Sequence, residues 1–330
     1  MADALSDERL GAEAVMIRLL VERNEGESPD WSTRVGREVA RALPIFERVG
    51  DQVGLALGWR VRYALLGTAG RYGEAAEAAE QVIEHAGGAN DPRLRARGAA
   101  GYAVSALYGP APVADAIEHC EQLAQQSSGD KRTEALIRSA LAQLYAMRGD
   151  FAHARDCYRD ARGALEDLGI GVLAAATSTD SGRVEILADD LDAARRELER
   201  DYLRLGEMGE TFLRSTIGGL LGRVAYAQGK FDEADRLTHE VEAAAAADDV
   251  DAQALWRGVR AGVLARRGEL DEARRLAREA VDMRRGMDSP ALQAEALSDL
   301  AEVEGLAGDA VAAAAILREA AELYARKGDT

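Results

Sequence analysis

The 330-residue sequence is poor in the residues on which several protein classes depend. Aromatic residues make up 5% of the chain and proline occurs 6 times, whereas a β-rich fold needs more aromatic and β-branched residues. The two cysteines, Cys120 and Cys157, form neither a CxxC motif nor a metal-ligand spacing, which is typical of free thiols in a reducing cytoplasm. The first ten residues do not resemble a signal peptide, and no apolar run reaches the roughly 18 residues of a membrane span. We therefore expect a cytoplasmic location and no membrane partner.

Positive charge is scarce relative to negative charge. The chain has 41 Lys and Arg residues against 58 Asp and Glu residues, which leaves a net charge of −17. Phosphate backbones and anionic membranes are bound by clustered cations, so we expect no direct nucleic-acid partner. Hydrophobic residues still make up 47% of the chain, and the abundant Ala, Leu, Glu and Arg favour helices.

One short phrase recurs along the chain: a small residue, a polar residue, an apolar residue, two further residues and an alanine. Gly70 to Ala75, Gly149 to Ala154 and Gly229 to Ala234 are clear copies. The closing alanines lie 38 to 41 residues apart, at Ala75, Ala116, Ala154, Ala194, Ala234, Ala273 and Ala313. The glycine fits a left-handed helix C-cap and the acidic residue after it fits a helix start. A beat of this length predicts stacked helical hairpins.

The sequence therefore predicts an all-α fold: a right-handed α-α superhelix, a tetratricopeptide-like solenoid of about 16 helices and seven hairpin repeats of about 40 residues. Residues 1–50 are interpreted as two N-terminal helices, a cap or a truncated repeat, and residues 51–330 as one continuous domain. Asp91 and Ser289 each precede a proline and are expected to cap a helix. Pro44 is expected to kink or break the second helix. The predicted hairpins are 52–87, 91–127, 130–168, 171–206, 210–247, 250–286 and 289–327.

Several stretches resemble the C-terminal tetratricopeptide-like region of actinobacterial multidomain signalling proteins. Those proteins carry a class III adenylate/guanylate cyclase or a LuxR-type DNA-binding domain beside an AAA/STAND-type ATPase. The similar stretches are Ala42-Leu-Pro-Ile-Phe-Glu-Arg-Val-Gly-Asp51, Tyr108-Gly-Pro-Ala-Pro-Val-Ala-Asp-Ala-Ile-Glu-His-Cys-Glu121, Leu144-Tyr-Ala-Met-Arg-Gly-Asp-Phe151, Leu255-Trp-Arg-Gly-Val-Arg-Ala261 and Leu323-Tyr-Ala-Arg-Lys-Gly328. The resemblance implies a sensor or scaffold arm of a regulator, whose partner includes the parent protein's ATPase domain. The sequence contains no G-x-x-x-x-G-K-[ST] loop, so the family's nucleotide chemistry is not transferred to any residue.

Residues with catalytic or metal-binding potential are few. His153 and Cys157 share a helix face, but two ligands do not make a zinc site. The acidic runs at 189–192 and 248–251 lie at expected turns, where Asp starts helices. We therefore expect no catalytic residue, no metal site, no cofactor and no enzymatic activity.

The first helix of each hairpin is expected to line a concave face. The stretch Thr177 to Arg183 is polar where neighbouring repeats are apolar, which favours either a ligand site or local hydrogen bonding. Repeating its position along the chain gives the candidate binding residues Arg60, Ser139, Gln143, Thr179, Arg183, Arg223 and Tyr226, with Trp256, Arg257 and Arg260 beside them.

The arginines in this set leave two interpretations open. The planar guanidinium suits carboxylates and phosphates, so the groove would bind an acidic peptide tail or a phosphorylated ligand. Alternatively, the arginines pair with the inner-facing carboxylates Glu185, Glu295, Asp299 and Glu302. The sequence thus predicts a non-catalytic interaction module for a peptide or protein partner. The alternative is a small-molecule sensor for an anionic metabolite, and the two N-terminal helices leave a homodimer open.

Overall fold

A computed structural model describes residues 2–25 and 31–329, with side chains at 7–22 and 32–329. These residues form sixteen α-helices and no strand. The helices are α1 (Ala2–Glu25), α2 (Trp31–Val49), α3 (Gln52–Thr68), α4 (Tyr72–Gly88), α5 (Pro92–Tyr108), α6 (Val113–Gln126), α7 (Lys131–Met147), α8 (Phe151–Asp167), α9 (Gly171–Leu187), α10 (Leu191–Glu207), α11 (Phe212–Ala227), α12 (Phe231–Ala244), α13 (Val250–Arg266), α14 (Leu270–Arg285), α15 (Pro290–Leu306) and α16 (Ala310–Lys327). The predicted all-α fold of helical hairpins is confirmed.

The recurring phrase ends one helix and begins the next. The glycines at its start have positive φ, between 68° and 85°, at Gly70, Gly149, Gly229, Gly268 and Gly308. A side chain at such a position would be strained. The following Asp caps the second helix in three hairpins, accepting a hydrogen bond from a backbone N–H at Asp150, Asp190 and Asp309. The phrase is therefore the turn within each hairpin.

Two copies of the phrase depart from this geometry. Asp189 takes the left-handed position without being glycine, at φ 57°, which Asp tolerates better than most residues. The copy that ends at Ala116 begins at Ala111 without a glycine, and Gly109 just before it has φ −76° and extended backbone. At the predicted caps, Asp91 accepts from the N–H groups of Arg93 and Leu94. Ser289 occupies the cap position, but its buried hydroxyl makes no capping bond.

The helix containing Pro44 continues unbroken from Trp31 to Val49, so the predicted break is wrong. Pro44 itself is exposed, while Leu43, Ile45 and Phe46 beside it are buried. Burial of these three side chains offsets the hydrogen bond that a proline removes from a helix.

By internal packing, the chain divides into two compact units. Unit 1 comprises residues 1–109 and 120–137, and unit 2 comprises 110–119 and 138–330. The division at residue 50 and the single continuous domain stay predictions. None of the helices within 2–25 and 31–329 combines the length and apolar character that a bilayer crossing requires.

Unit 1 is held together by an apolar core. α1 packs against α2 and α3, and α3, α4 and α5 pack in sequence. Met16, Val39, Leu43 and Phe46 are buried in one cluster with Leu55. The two helices N-terminal to the repeats thus share a core with the first hairpin.

Unit 2 stacks the first helices of successive hairpins. α9 packs on α11, α11 on α13 and α13 on α15, while each also packs on its own second helix. Lys327, at the end of α16, is fully buried and donates to the carbonyl oxygen of Ala111 at 2.8 Å. The last helix of the unit therefore contacts the short segment that opens it.

Candidate functional site

A cavity of about 520 Å³ lies in unit 2 where α11, α13 and α15 meet. We call it the inner pocket. Its walls combine charged and aromatic side chains with glycine backbone. The polar and aromatic lining residues are Arg223, Tyr226, Phe231, Arg266, Asp299 and Glu302.

Two glycines of α13 make room for the polar lining. A Cβ at Gly258 would lie 2.2 Å from Oδ2 of Asp299, and one at Gly262 would lie 2.8 Å from the ring of Tyr226. The two glycines are four residues apart and therefore lie on one face of the helix. The bare face of α13 lets side chains from α11 and α15 cross it.

Arg223 is the central cation of the inner pocket. Its two terminal nitrogens donate to the two oxygens of Asp299 at 2.9 and 2.8 Å. Its Nε lies 3.1 Å from Oε1 of Glu295. A bidentate guanidinium–carboxylate pair is among the strongest polar contacts in proteins, so Arg223 is committed to α15.

The ion pairs continue away from the inner pocket. Nη1 of Arg183 on α9 lies 3.3 Å from Oε2 of Glu295, and its Nη2 lies 3.7 Å from Oδ2 of Asp251. The same aspartate accepts from Arg284, whose side chain is only 2% exposed. Three arginines and three carboxylates, with Arg223 and Asp299 at the end, thus form one alternating chain across four hairpins.

Burial and opposite charge shift the pKa values in this chain. Burial alone would raise the pKa of Glu295, but Arg223 and Arg183 lower it to about 2. At Asp299 burial dominates and raises the pKa of the carboxyl. Burial would lower the pKa of Arg223, yet the two carboxylates raise it. Glu295 is therefore firmly ionised, and the Arg223 charge is retained in a largely buried position.

Ser139 and Gln143 of α7 converge on a residue that the sequence analysis did not single out. Both donate to the carboxylate of Asp180 on α9. Burial raises the pKa of Asp180 to about 6, although these hydrogen bonds oppose the shift. Thr179 precedes it and is half-buried. Two polar residues of α7 thus bond to one carboxylate of α9, three residues before Arg183 on the same helix.

Two further residues of the polar stretch in α9 follow the local alternative. The hydroxyls of Thr177 and Ser178 donate to the carbonyl oxygens of Ala174 and Ala175, at 2.7 and 2.9 Å. Such bonds satisfy a buried hydroxyl within its own helix. These two residues are therefore part of the packing between helices.

Trp256, Arg257 and Arg260 lie on the other side of α13 from the inner pocket. Arg260 donates to Thr238 and Glu242 of α12. Arg257 pairs with Glu279 of α14 at 3.2 Å. The two guanidinium carbons lie 4.1 and 4.4 Å from the ring centroid of Trp256. These three candidates join α13 to the second helices.

Arg60, the remaining candidate, is half-buried on α3 and belongs to unit 1. Of the ten candidates, two line the inner pocket, Arg223 and Tyr226, and Arg183 reaches it through Glu295.

Several residues of the inner pocket lie outside the ten candidates predicted from the sequence. Arg266 at the end of α13 is not among them, and Phe231 enters the prediction only as the apolar residue of the recurring phrase from Gly229 to Ala234. The glycine pair at 258 and 262 was the available signal, because an i, i+4 pair without side chains marks a close approach.

No group of three or more His, Cys, Asp and Glu side chains suited to a metal occurs in the described part of the chain. Cys120 is buried and Cys157 is half-buried.

Family comparisons identify repeats of one type between residues 135 and 319. Models of the tetratricopeptide repeat match residues 257–286 and residues 135–160, 218–240 and 294–319. The chain contains tetratricopeptide-like repeats. No curated protein sequence matches the chain.

Solved structures of low sequence identity resemble this chain to different degrees. A Rap protein complexed with Competence and Sporulation Factor superposes with a TM-score of 0.67 at 12% identity, over 99% of this chain and 100% of that one. BtubC from P. vanneervenii gives 0.42 at 19% identity, over 64% and 88% of the two chains. The APC/C hetero-tetramer Cut9–Hcn1 gives 0.35 at 10%, over 89% and 75%. Of these three structures, the Rap protein has a TM-score above 0.5, and it supports the fold alone.

Proposed function

We propose that the chain is a non-catalytic helical-repeat module that binds a peptide, or a short segment of a protein partner, in the inner pocket. The observation that carries this proposal is the cavity of about 520 Å³, lined by two aromatic rings and paired charges. Ligand pockets typically measure about 300–1,000 Å³ and combine apolar walls with a few placed polar groups. A peptide side chain and its flanking backbone match this size and this mixture.

The repeat architecture supports the same proposal. Stacked hairpins leave an extended face formed by their first helices, and such faces are binding surfaces in helical-repeat proteins. The Rap protein that shares the fold was solved in complex with Competence and Sporulation Factor, so this architecture accommodates a bound factor.

The resemblance to actinobacterial signalling proteins suggests a context. We propose that the module acts in the cytoplasm as the sensor or scaffold arm of a regulator. We further propose that the ATPase domain of its parent protein is one partner. Self-association is a further proposal, supported by the exposed apolar side chains Leu10, Ile17 and Val21 along α1.

An anionic metabolite is a weaker candidate for the inner pocket. Arg223 and Arg183, which would bind it, already contact Asp299 and Glu295. An anion would have to displace a buried carboxylate and leave it without its counter-charge, which is costly.

Blocking the inner pocket tests the proposal. Ala227 is exposed and lines the pocket, so Ala227→Trp should fill the cavity without disturbing the core. We expect the immobilised wild-type chain to retain members of a random hexapeptide library, and the immobilised variant to retain none of them. Ala315→Trp, at an exposed position of α16, is the matched control and should retain them. Equal retention by both variants would exclude the inner pocket as the binding site.

A further inference from the structure

The inner pocket already contains a cation from its own chain. Arg266 is the last residue of α13, and its guanidinium carbon lies 5.3 Å from the ring centroids of both Tyr226 and Phe231. Its Nε donates to the hydroxyl of Tyr226 at 2.8 Å, and its Nη2 donates to Oε1 of Glu302 at 2.7 Å. The guanidinium thus lies between two rings and a carboxylate.

The groups around Arg266 also contact each other directly. The hydroxyl of Tyr226 donates to Oε1 of Glu302 at 2.6 Å. The rings of Tyr226 and Phe231 lie 5.5 Å apart at 57°. Aromatic faces and a nearby carboxylate are the groups that recognise an organic cation. We call these three residues the cation cage.

The charges of the lining favour a cation in the same place. Arg223 and Arg266 balance Asp299 and Glu302, so the lining is neutral. Both terminal nitrogens of Arg223 are bound to Asp299, so the carboxylate of Asp299 compensates the positive charge of Arg223. Departure of Arg266 would leave the lining with one cation and two carboxylates, a net charge of −1.

Of the two arginines that line the inner pocket, Arg266 can leave more easily. Its side chain is 40% exposed, whereas that of Arg223 is 20% exposed. Pairs between exposed side chains contribute little to stability, because water replaces the lost contact. The cage is therefore closed by a replaceable group on a helix end.

We infer that the partner inserts a cationic side chain, arginine or lysine, into the cation cage and displaces Arg266. This inference rests on the proposed peptide-binding function and names the chemistry of the anchoring residue. It also predicts that removal of the Arg266 side chain strengthens binding, because Arg266 competes with the partner for Tyr226, Phe231 and Glu302.

Hexapeptide pools with one fixed position test the inference. The fixed residue is arginine, its neutral isostere citrulline, or glutamate, and the other positions are random. We expect the intact chain to retain the arginine pool about tenfold more than the citrulline pool, the ratio that corresponds to one charge-assisted contact. Arg266→Ala should bind the arginine pool several-fold more tightly, and Glu302→Gln should bind it about tenfold less tightly.

Arg275→Ala is the control for the lost charge, because Arg275 is exposed on α14 and pairs with Glu272 and Glu279. It should leave retention of every pool unchanged. Preference for the glutamate pool, or weaker binding by Arg266→Ala, would overturn the inference, since Arg266 would then contact an acidic partner directly. Equal retention of all three pools would overturn the cationic anchor but leave the proposed peptide binding standing. If no pool is retained, the proposed function is overturned as well.

Discussion

Both units contain a helix with two glycines four residues apart, but apolar side chains pack against the glycines in unit 1 and polar ones in unit 2. Gly54 and Gly58 on α3 are four residues apart, and a Cβ at either would lie 2.2 Å from the ring of Phe46 or 2.7 Å from Leu43. Gly258 and Gly262 on α13 repeat the spacing, but Asp299 and Tyr226 fill the space there.

The contents decide what each glycine pair does. In unit 1 the bare helix face buries hydrocarbon, which stabilises the fold through area removed from water. In unit 2 it admits a carboxylate and a phenol that belong to a cavity. A close helix approach is therefore a packing feature in one place and part of a candidate binding site in the other.

The largest effect should come from removing the central cation of unit 2. Arg223→Met leaves Asp299 and Glu295 facing each other largely out of water, and breaking a buried pair in this way costs about 3 kcal/mol. Arg236→Met is the control, because Arg236 is 58% exposed and pairs with the partly exposed Glu240. It should cost less than about 1 kcal/mol. Urea unfolding measures both, and equal losses would contradict the buried role of Arg223.

Substitution of one glycine in each pair by alanine tests the difference between the two units. Gly54→Ala pushes against a fully buried ring and should destabilise the protein by about 2 kcal/mol. Gly258→Ala meets the end of a side chain, which shifts more easily, so we expect a loss of about 1 kcal/mol or less.

Gly163 is the control for both substitutions, since nothing lies within 4 Å of a Cβ there. Gly163→Ala should stabilise the protein by about 0.5–1 kcal/mol, because alanine favours the helix. Chemical unfolding of the three variants gives the ranking, and a greater loss at Gly258 than at Gly54 would reverse the comparison.

A smaller effect is expected at the phenol of the inner pocket. Tyr226→Phe removes the hydroxyl that bonds to Glu302 and Arg266 while keeping the ring. The loss in unfolding free energy should be about 1 kcal/mol, the usual value for one hydrogen bond. No loss in thermal or urea unfolding would mean that water replaces the hydroxyl fully.

The last effect concerns pH and one buried carboxyl group. Burial raises the pKa of Asp180 to about 6, above the value near 4 of an unfolded chain. Between these values the native state binds the proton that the unfolded state has lost, so stability falls as pH rises through this window. Asp180→Asn should remove this part of the decline. Urea midpoints from pH 4 to 7 measure it, and parallel profiles for wild type and variant would refute the shift.

The periodic sequence predicted the helices well because each hairpin carries its own stop and start signals. The predicted hairpin 171–206 corresponds to α9 and α10, which run from Gly171 to Glu207. The helix break predicted at Pro44 is wrong because burial of its neighbours, a tertiary effect, overrode a local signal, whereas the kink stays a prediction.

The candidate site was harder to predict because its pairs join distant repeats. Arg223 and Asp299 are 76 residues apart, and periodicity assigns a helix face without naming the partner. Trp256 and Arg260 show the other source of error. They lie only two residues from Gly258, but two residues rotate about 200° around a helix, which turns them toward the second helices.

The most direct test locates a bound peptide on the chain. A hexapeptide retained by the wild type would carry a diazirine amino acid, and mass spectrometry would identify the residues that it labels after irradiation. Our account predicts labels on the inner pocket, in residues 223–231, 258–266 and 299–302. Labels confined to residues 232–244 of α12, to α14 or α16, or to residues 32–109 of unit 1, would contradict it.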